Sequence, residues 1–176
     1  MKKLFFFAIL MATALMTTDV EAQKFPGLDK SPHDVASFPR QSPVVKVVYG
    51  RPQLKGRDLE TLAPSGKVWR TGANEATEIT FKRDVNFGGK MVKAGTYSLF
   101  TIPADGTADW TIILNTDTDV WGAYSYDVSK DVARVNGKQT VSTEPIEAFS
   151  VAFTGDATNM TMHLAWGNKV VSVDIQ

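Results

Sequence analysis

Between Gly66 and Thr77 the chain reads Gly-Lys-Val-Trp-Arg-Thr-Gly-Ala-Asn-Glu-Ala-Thr, gathering Lys67, Trp69, Arg70, Asn74 and Glu75 around glycines. Guanidinium forks, an indole face, and an amide beside a carboxylate suit a polyhydroxylated or anionic ligand, which needs apolar contact plus a few directional hydrogen bonds. Arg51, Arg57, Tyr97 and Trp121, set in connections or beside turns elsewhere, complete a candidate ligand-binding set. Arg51 and Arg57 flank a turn at Gly56 and are placed to converge on one anion. A bland reading stands beside this one. Arg70 and Glu75 pair across a loop, Trp69 plugs the core, and Asn74 ties backbone groups in a turn.

Other chemistry is poorly supplied. The two histidines, His33 beside Asp34 and His163 in an alternating run, do not stand at metal-ligand spacing, so a zinc site is not expected. Asn115-Thr116-Asp117-Thr118-Asp119 offers alternate oxygens but lacks the glycine and distant glutamate of a calcium loop, and reads as a polar loop. No serine sits in a Gly-x-Ser-x-Gly elbow, which leaves a Ser-His-carboxylate triad without its signature. Glu75 and Glu78 are close enough in sequence to keep a glycosidase pair open. The residues call for no cofactor and no metal.

The elements that must position these groups are strands. Phe149, Val151 and Phe153 alternate with Ser150 and Ala152; Ile79 and Phe81 alternate with Glu78, Thr80 and Lys82; and Trp110, Ile112 and Leu114 alternate with Thr111, Ile113 and Asn115. Met160, Met162, Leu164 and Trp166 share a face that excludes His163. Gly88-Gly89, Asn136-Gly137 and Gly167-Asn168 read as tight hairpin turns. Asp58 to Leu62 is the one helical candidate, stopped by Pro64. The expectation is an all-β domain, an antiparallel two-sheet β-sandwich of about ten short strands with at most one short helix; a closed barrel is its rival.

The N-terminus has the form of a secretory signal over residues 1–22. Lys2 and Lys3 precede an apolar run from Leu4 to Met16, and Val20-Glu21-Ala22 offers a cleavage site before Gln23. That run is short of the roughly 20 residues that span a bilayer, so no integral membrane segment is expected after cleavage. Four of the eight prolines fall in residues 23–43, which read as a proline-rich arm ahead of a domain over 44–176. The chain holds 19 basic and 19 acidic residues and no cysteine. Charge neutrality gives no footing for nucleic acid, and the missing cysteines exclude disulfides and thiolate metal sites.

Tyr49-Gly50-Arg51-Pro52, Lys55-Gly56-Arg57, Gly66 to Thr77, Ala94 to Pro103, Trp110 to Asn115 and Trp121-Gly122-Ala123-Tyr124 together resemble a family of exported bacterial proteins catalogued as domain of unknown function 2911. The resemblance runs from about Tyr49 to the C-terminus. It implies export, to the periplasm or beyond the cell, and a β-rich domain, and carries no reaction or assigned site. Three readings follow for function. The first is a non-catalytic exported protein that binds a small polar ligand or envelope glycan through the nine residues above. The second is a glycan hydrolase with Glu75 as acid or base, and the third a structural, partner-binding envelope module.

Overall fold

The computed structural model describes residues 25–176; the expected signal segment lies outside them. The elements are β1 (His33–Phe38), β2 (Val45–Gly50), α1 (Leu59–Leu62), β3 (Thr77–Phe81), β4 (Val85–Phe87), β5 (Lys90–Val92), β6 (Gly95–Ile102), β7 (Trp110–Asn115), a 3-10 turn (Val128–Lys130), β8 (Asp131–Gly155) and β9 (Met160–Ile175). The fold is all-β with one short helix. Its nine strands form one antiparallel sheet in the order β1-β2-β3-β6-β7-β8-β9-β4-β5, not two sheets of separate strands.

The reason for one sheet is β8. Its first part pairs with β7, ending at Gly137 opposite Trp110; from Lys138, opposite Ser172, it pairs with β9. Asn136-Gly137 is therefore no hairpin turn but the place where one strand passes from one neighbour to the next. A Cβ on Gly137 would lie 2.5 Å from Ile112 Cδ1 and 2.6 Å from Val171 Cγ1, so glycine is required by close approach. Gly167-Asn168 is likewise inside β9, where Gly167 has a positive φ opposite Ile146 at a shift of register. The reversal between β8 and β9 comes at Asp156, whose carboxylate accepts from the Thr158 and Asn159 amides. Gly88-Gly89 is a hairpin turn as expected, with positive φ at both residues.

The alternating strands send Val45 and Val47, Ile79 and Phe81, Ile112 and Leu114, Phe149, Met162 and Leu164 into one core. Each such side chain contributes about 1.5–3 kcal/mol by burial. Ile113, on the face expected to be polar, is also fully buried. The connection after β7 folds over that face, and Ile113 joins Phe100 and Ala76 in a second cluster against Val120, Ala123 and Tyr126.

Part of the stretch expected as an arm belongs to the sheet. Prolines 32 and 39 bracket β1 without interrupting it, and His33 to Phe38 pair residue by residue with Gly50 to Val45. Its inward residues are tied across to β8. Phe38 stacks on Phe153 with centroids 5.9 Å apart, and Arg51 donates to Asp34 Oδ2 (3.1 Å), the Phe149 carbonyl (3.1 Å) and Ser150 Oγ (3.0 Å).

Candidate functional site

The loop from Thr71 to Ala76 is placed by backbone contacts. Thr71 and Asn74 both have positive φ; the Thr77 amide donates to the Arg70 carbonyl and Thr77 Oγ1 to the Thr71 carbonyl at 2.6 Å. The loop lies directly on the end of β2, where a Cβ on Gly50 would be 2.2 Å from the Ala73 carbonyl oxygen. On its other side the Ala76 amide donates to the Val120 carbonyl and the Gly122 amide to the Asn74 carbonyl. Glu75 and Trp121 are thus paired across a two-residue bridge. One wall of a cleft comes from this bridge, the other from the N-terminal segment that leads into β1.

Asp29, Ser31, His33, Asn74, Glu75 and Trp121 line a hollow of ≈ 240 Å³. His33 and Glu75 also line a neighbouring hollow of ≈ 210 Å³, with Glu78 and Asp119. His33 Nε2 and Glu75 Oε2 are 2.9 Å apart. Asp29 is held below the usual carboxylate range by the Ser31 amide and then by the Asn74 side chain. Glu78 Oε1 accepts from the Asp119 amide at 2.9 Å. Trp121 is 60 % exposed, so its indole face is open to solvent beside these hydrogen-bonding groups. A larger hollow of ≈ 420 Å³ at the β4–β5 turn is lined by amides, glycines and other residues without an aromatic ring.

Of the nine residues expected from sequence, Asn74, Glu75 and Trp121 meet here. The cations do not converge. The Arg51 guanidinium is occupied by β1 and β8, as above, and that of Arg57 closes its own turn on the Leu54 and Gln53 carbonyls. Lys67 is exposed and lines neither hollow of the cleft. Trp69 is 6 % exposed and is a core residue, stacked on Trp166 at 5.6 Å and edge-on to Phe149 at 5.3 Å. Tyr97 is buried against Phe81, with its hydroxyl donating to the Lys93 carbonyl. Arg70 does not pair with Glu75; its guanidinium lies against Gly122, beside Trp121 in sequence.

Sequence reasoning did not place Asp29, Ser31, His33 or Asp119 in the ligand-binding set. A usable signal existed for His33: the alternation of His33, Val35 and Ser37 with Asp34, Ala36 and Phe38 between two prolines is a short edge strand. The oxygens of the Asn115 to Asp119 run are dispersed. Asn115 Oδ1 accepts from the Asp117 amide, and Asp117 pairs with Lys130 at 2.8 Å. His163 turns away from the core onto Thr154 and Ser172, with burial pushing its pKa down.

Every strand from β1 to β9, and each cleft residue except Asp29, falls within a single stretch of sequence that can be compared with known proteins as a unit. No curated protein and no solved structure matches the chain. That stretch, residues 31–175, is matched by the family model described as Protein of unknown function (DUF2911), and the chain belongs to that family.

Proposed function

We propose that this is an exported protein that binds a small polar ligand or glycan of the cell envelope in the cleft between Asp29 to His33 and the Glu75–Trp121 bridge. The observation that carries the reading is the open indole of Trp121 beside Asn74, Glu75, His33 and Asp29 in one hollow. A sugar ring offers an apolar C–H face and a rim of hydroxyls, and an indole with carboxylates and an amide around it meets both. The test is a glycan-panel titration of the purified protein by calorimetry. Trp121→Ala is expected to weaken any ligand found by roughly tenfold or more, with little change in melting temperature, because the ring is mostly in solvent. A panel with no binder, or a ligand indifferent to Trp121→Ala, sinks the reading.

One observation favours a hydrolase as the second reading: Glu75 and Glu78 line the same hollow. A carboxylate pair flanking a glycosidic bond is what acid–base cleavage needs. Under this reading Glu75→Gln abolishes product release while much of the binding survives; under the first there is no product to lose. Absence of both binding and turnover leaves the partner-binding envelope module.

A further inference from the structure

The ≈ 420 Å³ hollow at the β4–β5 turn shares no lining residue with the Trp121 cleft, and one of its walls carries Ser172 and Asp174 of β9. Nine residues of straight strand would hold Ser172 about 30 Å from His163. β9 instead bends at Gly167, where φ is 61°, and lays its two halves side by side. Thr161 Oγ1 thereby donates to Asp174 Oδ1 at 2.8 Å, and His163 Nδ1 comes within 2.8 Å of Ser172 Oγ. The other ring nitrogen, Nε2, is 2.9 Å from Thr154 Oγ1 on β8. A neutral imidazole has one donor and one acceptor nitrogen. With the proton on Nε2 and directed at Thr154, Nδ1 is the acceptor of the Ser172 hydroxyl. The ring is half-buried, and that burial pushes its pKa down against the opposing pull of Asp174, which keeps it neutral near pH 7.

An alcohol becomes a nucleophile when a positioned base takes its proton. Here the base and the hydroxyl stand at hydrogen-bond distance, and the hydroxyl is the member that lines the hollow. Lys138 lies opposite Ser172 in the register of β8 on β9 and so shares its face. It lines the hollow together with Asn136 and takes no part in the ion pairs of the described residues. An ammonium and an amide are therefore at hand for an oxygen that gains charge. The Asp174 carboxylate on the same wall opposes an anionic substrate. We infer that the chain carries an acyl-transfer site apart from the cleft, in which Ser172 is the nucleophile and His163 the general base of an esterase for small uncharged carboxylic esters. Ser172 Oγ bonds to the ester carbonyl carbon as its proton passes to His163 Nδ1. The ester C–O bond then breaks, and the leaving alkoxide takes that proton. Water, giving a proton to His163, attacks the acyl-serine; the acid departs and Ser172 Oγ recovers its proton from the ring. No Gly-x-Ser-x-Gly elbow is called for, because the pair is built across the bend of β9 and not at a strand-to-helix turn.

The test exposes the purified protein to a fluorophosphonate, which phosphonylates activated serines with loss of fluoride, and to p-nitrophenyl acetate, followed by nitrophenolate release. Expected are one phosphonyl group per chain, on the peptide that holds Ser172, and an ester turnover that this label blocks. Ser172→Ala should abolish both at an unchanged fold, and His163→Gln should slow both by about a hundredfold or more. The chain has no cysteine, so Ser172→Cys introduces a single thiol at the site. Its alkylation by iodoacetamide at pH 7 should be faster than in Ser172→Cys combined with His163→Gln, a readout of the base that does not depend on ester turnover. No label on Ser172, ester turnover that is absent or that survives Ser172→Ala, or a thiol indifferent to His163 overturns the inference. The glycan titrations of the Trp121 cleft concern other residues and are decided independently.

Discussion

Gly137→Ala tests the crossing of β8 more directly than any other single change. The added Cβ would stand 2.5 and 2.8 Å from Ile112 Cδ1 and Cγ1 and 2.6 Å from Val171 Cγ1. Carbon atoms rest at roughly 3.5–4.0 Å, so both sides overlap by about an ångström. Ile112 and Val171 are 0 % and 1 % exposed, and close packing leaves them nowhere to retreat. Overpacking of this kind costs about 1–3 kcal/mol. Gly137 is not among the residues of positive φ, so alanine also recovers roughly 0.4–1 kcal/mol by restricting the unfolded chain. The net expectation is a loss of about 1–2 kcal/mol, read as a lower urea midpoint at unchanged slope. Ile112→Val removes Cδ1, the nearest of the three clashing atoms, and relieves part of the overlap. Alone it should cost about 0.5–1.5 kcal/mol, and in the Gly137→Ala background less, with a coupling of at least roughly 0.5 kcal/mol. Were Gly137 instead the tip of a turn, alanine would be strained by its backbone and Ile112→Val would bring no relief. Strict additivity of the two substitutions would refute the crossing.

Two further outcomes follow from the same packing. Deleting residues 23–39 removes β1, strips Phe153 of its stacking partner and leaves the Arg51 fork without Asp34; the truncated chain should melt well below the intact one, and an unchanged melting temperature would return β1 to the status of a solvated arm. Burial lowers the His163 pKa, so the folded state prefers the neutral ring while the unfolded chain takes a proton near its ordinary value of 6.5. Stability on this account is full above about pH 6.5 and falls as pH drops below it. Urea midpoints measured between pH 8 and pH 5 should show that fall in the parent and a shallower one in His163→Gln.

Much of the strand content was legible because alternation is a local property. Met160 to Trp166 and Phe149 to Phe153 could be assigned a buried face without knowing their neighbours, and Gly88-Gly89 a reversal. The Asn136-Gly137 dipeptide carries an equally strong turn signal and is no turn. What decides there is the approach of Ile112 and Val171, 25 and 34 positions away in sequence, which no window around Gly137 contains. The same limit applied to Ile113, whose neighbours on its own strand could not announce that Val120 and Tyr126 fold over it. In the candidate site, Asn74, Glu75 and Trp121 stood out because polar and aromatic groups had gathered around turn-forming glycines. His33 reaches Glu75 across 42 residues of sequence, through the pairing of β1 with β2. The arginines misled for a related reason. A guanidinium already satisfied within the fold, as in Arg51 by Asp34, Ser150 and the Phe149 carbonyl and in Arg57 by the Leu54 and Gln53 carbonyls, has the same sequence appearance as one held open for a ligand.

The cleft is held by its backbone more than by its charges, which makes its substitutions interpretable. The His33–Glu75 contact joins side chains 50 % and 48 % exposed. A pair so open to solvent contributes about 0–1 kcal/mol. The walls are instead fixed by the register of β1 on β2, by Gly50 under Ala73, and by the Gly122 amide on the Asn74 carbonyl. None of these involves the Glu75 carboxylate. Glu75→Gln should therefore keep the hollow's shape and the protein's melting temperature, so a loss of binding or turnover in that variant reports the carboxylate's chemistry and not a collapsed loop. Gly50→Ala is the converse case, since a Cβ set 2.2 Å from a main-chain oxygen must move the loop itself. Together the two separate what the site does with its acid from how the fold presents it.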